Sequence, residues 1–160
     1  MGLAYTAPPG YASTPILDNV DVAYDHAVVS ADKRVELRFA LRPYGQDLPP
    51  AMRTAQFSWQ FFQTGIANLV HGGTTGEVAP TAEVPAEPFG ADDAKMVAIR
   101  WFDSDDNPEF FGNGYELAFV VFIHREEVGD AYTFVLLKEG ESPERLNEEL
   151  FHSLRFAEKQ

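Results

Sequence analysis

Apolar and polar positions in this chain alternate in some stretches and recur at helical spacing in others, and each pattern predicts an element. Val35, Leu37, Phe39 and Leu41 alternate with Glu36, Arg38, Ala40 and Arg42, a period of two that predicts a strand with one core face and one solvated face. Segments 95–102, 115–123 and 131–137 are rich in β-branched and aromatic residues and are bounded by Asp, Asn, Gly or charge clusters, so they also read as strands. In 115–123 the odd positions Tyr115, Leu117, Phe119, Val121 and Ile123 and the even positions Ala118, Val120 and Phe122 are all apolar. A strand apolar on both faces is covered on both, which makes it the expected sheet centre. The short link from Glu126 to Asp130 predicts that 115–123 and 131–137 form an antiparallel hairpin. A weaker alternation over Val20–Val29 is a candidate first strand.

The period changes after Pro49-Pro50. Phe57, Phe61, Ile66, Leu69 and Val70 recur at helical intervals, predicting a long, largely buried helix over 52–70 with Trp59, Gln56, Gln60 and Gln63 on its other faces. Gly65 within it either admits a close neighbour or marks a break. Ser142-Pro143 supplies an N-cap and a proline at the first helical position, and Leu146, Leu150 and Leu154 are spaced by four, which predicts a final helix over 142–156. Residues 1–15 read as a loose N-terminal arm and 72–94 as a long acidic loop containing Pro and Gly. The expected fold is therefore a single α+β domain, with a mixed or largely antiparallel sheet of about five strands carrying both helices.

Composition narrows the function classes. An apolar fraction of 45% with 13 Phe argues for a packed core despite a net charge of −13. The absence of cysteine removes disulfides, thiolate metal sites and thiol nucleophiles. No apolar run approaches the roughly 18 residues of a membrane-spanning helix, so a soluble, cytoplasmic protein with no membrane partner is expected. The excess of 25 acidic over 12 basic residues counts against nucleic-acid binding and favours a basic protein partner. Lys33, Arg34, Arg38 and Arg42 gather four of those 12 basic residues around one strand, as either a solvated face or a site for an acidic segment.

No catalytic motif stands out, and no cofactor or metal is expected. His71-Gly-Gly-Thr-Thr-Gly76 follows a helix rather than a strand and lacks a phosphate-loop lysine, so it reads as a helix stop. Asp103-Ser-Asp105-Asp106-Asn107-Pro-Glu109 begins like a calcium loop, but Pro108 holds the position that needs glycine and Gly114 the one that needs glutamate. His26, His71, His124 and His152 show no ligand spacing. The candidate partner-binding residues are instead the acids of the turn, Asp103, Asp105, Asp106 and Glu109, and of the loop, Glu77, Glu83, Glu87, Asp92 and Asp93. An enzyme would require a pocket in which titratable groups converge, such as His71 or His124 against an acid, and an assembly subunit would require a large exposed apolar patch.

The order of signals over 33–127 resembles the suppressor-of-fused domain. It comprises the Val-Glu-Leu-Arg-Phe-Ala-Leu-Arg strand at 35–42, the Pro49-Pro50 entry to a long helix, a polar loop, an apolar strand and an Asp-rich turn. Gly112-x-Gly114-Tyr-Glu-Leu-Ala-Phe-Val-Val-Phe-Ile then closes in Arg125-Glu-Glu. The resemblance implies an α+β protein-binding domain without catalysis. Eukaryotic members restrain a transcription factor, and bacterial relatives look like immunity or antitoxin-type partners, which makes an inhibitor of a basic protein the expected function.

Overall fold

The computed structural model describes residues 1–71, 76–102, 104–106 and 108–158, with His71 and Asp106 described by backbone alone. In chain order the elements are β1 (Leu3–Tyr5), β2 (Tyr11–Ser13), β3 (His26–Ser30), β4 (Val35–Pro43), α1 (Ala55–His71), β5 (Gly76–Val78), β6 (Ala82–Glu83), β7 (Asp93–Trp101), β8 (Leu117–Arg125), β9 (Gly129–Leu137), α2 (Glu148–Phe151) and β10 (Leu154–Phe156). The main sheet runs β2-β3-β4-β9-β8-β7-β5, β6 joins it on β7, and β1 pairs with β10 apart from it. Every pairing is antiparallel.

Among the described residues the architecture is α+β, with a sheet of eight strands rather than about five and one long helix rather than two. The expected hairpin is present, with β8 on β9 in the register Leu117↔Leu137 to Arg125↔Gly129. The sheet centre is β9, buried at all nine positions, with β8 beside it. Residues 1–15 are not a loose arm, because β1 and β2 are paired there. In the 72–94 stretch the described residues 76–94 carry β5, β6 and a 3-10 turn at Glu87–Phe89, so this acidic segment is largely pinned along the edge of β7. The candidate strand at 20–29 starts later, at His26. Asn19 explains the delay, since its Oδ1 accepts from the Asp21 and Val22 amides at 2.9 and 2.8 Å and winds the chain into a turn.

The final helix is broken by its own caps. Ser142 Oγ accepts from the Glu144 amide, but that turn ends at Leu146, and Asn147 Oδ1 then caps the four-residue α2. Leu154 and Phe156 continue as β10. Leu146, Leu150 and Leu154 still reach one core, through three different conformations.

The sheet separates two cores. Val35, Leu37, Phe39, Val135 and Leu137 face α2 and β10, whereas Phe122, Tyr132, Phe134 and Leu136 face α1. Thr54 starts α1, its Oγ1 accepting from the Phe57 amide at 3.2 Å. The helix buries Trp59, Phe62, Ile66, Leu69 and Val70, while Phe61 is 75% exposed and Phe57 37%. Its buried stripe is thus rotated from the expected one, with Trp59 inside and Phe61 outside. Among the described residues no helix is long and apolar enough to cross a membrane.

The polar face of β4 is the largest departure from the sequence pattern. Glu36 and Arg38 are buried on the α1 side, where Phe111 and Tyr115 fold over them. Arg38 Nε donates to Glu36 Oε1 at 2.8 Å, its Nη1 donates to the Phe111 carbonyl, and the Tyr115 hydroxyl donates to Glu36 Oε2. The guanidinium lies 4.9 Å from the Tyr24 ring centre and 4.7 Å from that of Phe111. Of the remaining basic residues, Arg34 does meet an acidic segment, but one of this chain: Nε pairs with Glu141 at 2.7 Å and Nη2 reaches the Glu139 carbonyl at 2.6 Å.

Candidate functional site

Between α1 and the sheet lies a cleft of about 590 Å³. Its floor is made by the ends of β4 and β9, through Leu41, Arg42, Asp130, Tyr132 and Phe134. Phe57, Phe61, Phe62 and Gly65 of α1 form one wall, and the Asn19 turn supplies Asp21, Val22 and Ala23 to the other. That turn is held in place from below: the Leu17 amide donates to the Tyr24 hydroxyl at 2.7 Å, and the Phe111 amide to Asp21 Oδ2 at 3.0 Å. The buried Arg38 pair therefore has a positional role, since Tyr24 and Phe111 stack against its guanidinium. Gly65 keeps the helix wall open, because a Cβ added there would meet nothing within 4 Å.

A polar cluster sits at one end of this apolar space. Antiparallel register places His124 opposite Asp130, and Nδ1 of the imidazole lies 2.8 Å from Asp130 Oδ1. The segment before α1 brings in Tyr44. Its amide donates to the Val128 carbonyl at 3.1 Å, and Arg53 ties the same segment to the hairpin through Glu127 at 2.7 Å. The Tyr44 hydroxyl then lies 3.0 Å from Asp130 Oδ1, 2.9 Å from His124 Nδ1 and 3.0 Å from Ser58 Oγ. Burial, with the Asp130 carboxylate beside it, pushes the Tyr44 phenol well above its ordinary value, so the hydroxyl keeps its proton and donates it to Asp130. Opposite a carboxylate, His124 Nδ1 carries hydrogen.

This cluster joins serine, histidine and aspartate without forming a nucleophile relay. A relay needs the hydroxyl and the carboxylate on different imidazole nitrogens. Here Asp130 and Tyr44 share Nδ1, and Ser58 reaches the tyrosine rather than the histidine. The arrangement fixes Asp130 and Tyr44 at the end of an apolar cleft. Tyr132, two residues along β9 from Asp130, also lines the cleft, and burial raises its phenol well above the ordinary value.

Among the described residues, the acids predicted from sequence fall into two groups, and neither lines the cleft. Strand β7 is nine residues long, roughly 26 Å from first to last residue at about 3.3 Å per step, and separates the two groups. At its start, Asp93 and Glu83 both pair with Lys95, at 2.7 and 3.0 Å, and Asp92 Oδ2 accepts from the Glu126 amide at 2.8 Å. Glu87 opens the nearby 3-10 turn. At the other end, Glu77 stands opposite Arg100, Asp105 is exposed in the Ser104–Asp106 turn, and Glu109 is exposed with its carbonyl accepting from the Val20 amide at 3.1 Å. Asp103, and the side chains of Asp106 and His71, lie outside the described residues.

The cleft residues Tyr44, Ser58 and Tyr132 carried no sequence signal of chemistry. The predicted hairpin does carry His124, and its register in the structure sets that residue opposite Asp130. No protein-family model matches the chain, and no curated protein matches it in sequence. The functional reading therefore rests on the geometry of the cleft.

Proposed function

We propose that this protein is a binding domain that holds a small apolar molecule in the cleft between α1 and the β4–β9 floor. The observation that carries this reading is the cleft itself. At about 590 Å³ it falls within the roughly 300–1,000 Å³ of small-molecule sites, and it is lined by Phe57, Phe61, Phe62, Tyr132 and Phe134 with a fixed polar cluster at one end. Aromatic walls supply burial, and a few anchored polar groups supply orientation.

A neutral dye that brightens in apolar surroundings tests this. It should bind the wild-type chain saturably, and Gly65→Leu, which places a side chain in the open space, should abolish binding while the variant keeps its circular dichroism. Equal binding by the folded variant contradicts the reading.

A second reading keeps the protein-binding role that the resemblance to suppressor-of-fused domains implies, with a basic partner. The exposure of Glu77, Glu87, Asp105 and Glu109 on a chain of net charge −13 supports it. Attraction of that kind speeds encounter and weakens with salt. Replacing Asp103, Asp105, Asp106 and Glu109 by Asn or Gln should slow association with a basic partner; an unchanged on-rate and salt slope removes this turn from the interface.

A further inference from the structure

The proposed cleft has a chemical preference that follows from which of its polar atoms are already satisfied. Asp130 is 5% exposed, so its carboxylate is withdrawn from bulk water. Both of its side-chain hydrogen bonds, from Tyr44 and His124, end on Oδ1. Oδ2 accepts none among the described residues, although Asp130 lines the cleft. Tyr132 is 7% exposed, lines the same space, and its hydroxyl likewise has no hydrogen-bond partner among the described residues. A buried carboxylate oxygen without a donor is costly, and a bound donor removes that cost.

The charges around this point favour a cationic donor. Two carboxylates, Asp21 and Asp130, line the cleft. Arg42 is opposite Asp130 in register, but its guanidinium donates to the Leu41 and Ala23 carbonyls at 2.8 Å each and lies 3.9 Å from Asp25. Arg42 also lines the cleft, but these two carbonyls and the nearby Asp25 engage its guanidinium, and no bond from it to Asp130 is present among the described residues. His124 approaches Asp130 from the hairpin partner strand with Nδ1 toward Oδ1 and leaves Oδ2 unpaired. Phe57, Phe62 and Tyr132 line the space with aromatic rings, Phe62 and Tyr132 stacked on each other at 4.5 Å, and the net charge of −13 concentrates cations at the protein surface.

We infer that the ligand of the cleft is an apolar amine whose ammonium group donates to Asp130 Oδ2 and Tyr132 Oη while its hydrocarbon body lies among the α1 aromatics. This rests on the cleft being a binding site at all, and the experiment separates the two claims. Calorimetric titration of the full chain with phenylpropylamine, phenylpropanol and phenylpropanoate compares one body with three head groups. The amine should bind on the order of tenfold or more tighter than the alcohol, as a charge-assisted hydrogen bond in a buried site gives, with the carboxylate weakest. Asp130→Asn should reduce the amine to the affinity of the alcohol. Tyr132→Phe, which leaves the His124 and Tyr44 bonds untouched, should lower amine affinity severalfold and serves if the Asp130 variant does not fold. Alcohol binding as tight as amine binding overturns the amine inference and leaves the cleft reading standing. An amine preference that survives Asp130→Asn overturns the assignment to Asp130. Failure of all three probes to bind overturns both.

Discussion

Arg38 donates to Glu36 Oε1 over 2.8 Å from two positions along the same strand, and both side chains are buried, against Tyr24, Phe111 and Tyr115. Removing one member of such a pair leaves a buried charge without its partner, which costs about 3–5 kcal/mol, whereas replacing both by apolar groups costs far less. Arg38→Met should therefore destabilise the chain by about 3–5 kcal/mol in urea unfolding, and Glu36→Leu combined with Arg38→Met should cost less than Arg38→Met alone. Additive losses would show that the two groups are not coupled.

The same pair shows where the sequence pattern stops being informative. Alternation located β4 correctly and chose its apolar face, but it could not show that a second layer covers the polar face, because that cover comes from Phe111 and Tyr115, far along the chain. The C-terminal helix failed for a local reason: Asn147 is a stronger helix start than the Leu146, Leu150 and Leu154 spacing is a reason to continue. The hairpin that carries His124 was legible in the sequence, whereas the register that sets it against Asp130 and the approach of Tyr44 and Ser58 appear only in the structure.

Gly65 neither breaks α1 nor admits a neighbour, since the helix runs from Ala55 to His71 and a Cβ there meets open space. Gly65→Ala should raise stability by about 1 kcal/mol through helix propensity alone. A loss of stability in thermal or urea unfolding would indicate a contact that this geometry does not contain.

Alkaline pH should destabilise the fold through its buried tyrosines. Burial, reinforced by Glu36, raises Tyr115 above the ordinary value of 10.0, and burial reinforced by Asp130 raises Tyr132. The folded chain keeps these protons where the unfolded chain releases them, so the contribution is complete below about pH 10 and is lost as pH rises further. Urea unfolding followed from about pH 8 upward should show a level region and then a decline beginning near pH 10. Tyr115→Phe should reduce the steepness of that decline by one proton. A decline of unchanged steepness in this variant assigns the effect elsewhere.

The central claim is that the space between α1 and the sheet receives a ligand. Titrating isotope-labelled protein with phenylpropanol and following backbone amide resonances tests it most directly. Ser58, Phe62 and Gly65 on α1 and Asp130, Tyr132 and Phe134 on β9 should shift together along one saturating isotherm, while Glu83 and Asp93 at the edge should stay fixed. Shifts confined to the exposed Phe61 and its neighbours, or shifts that never saturate, would contradict it.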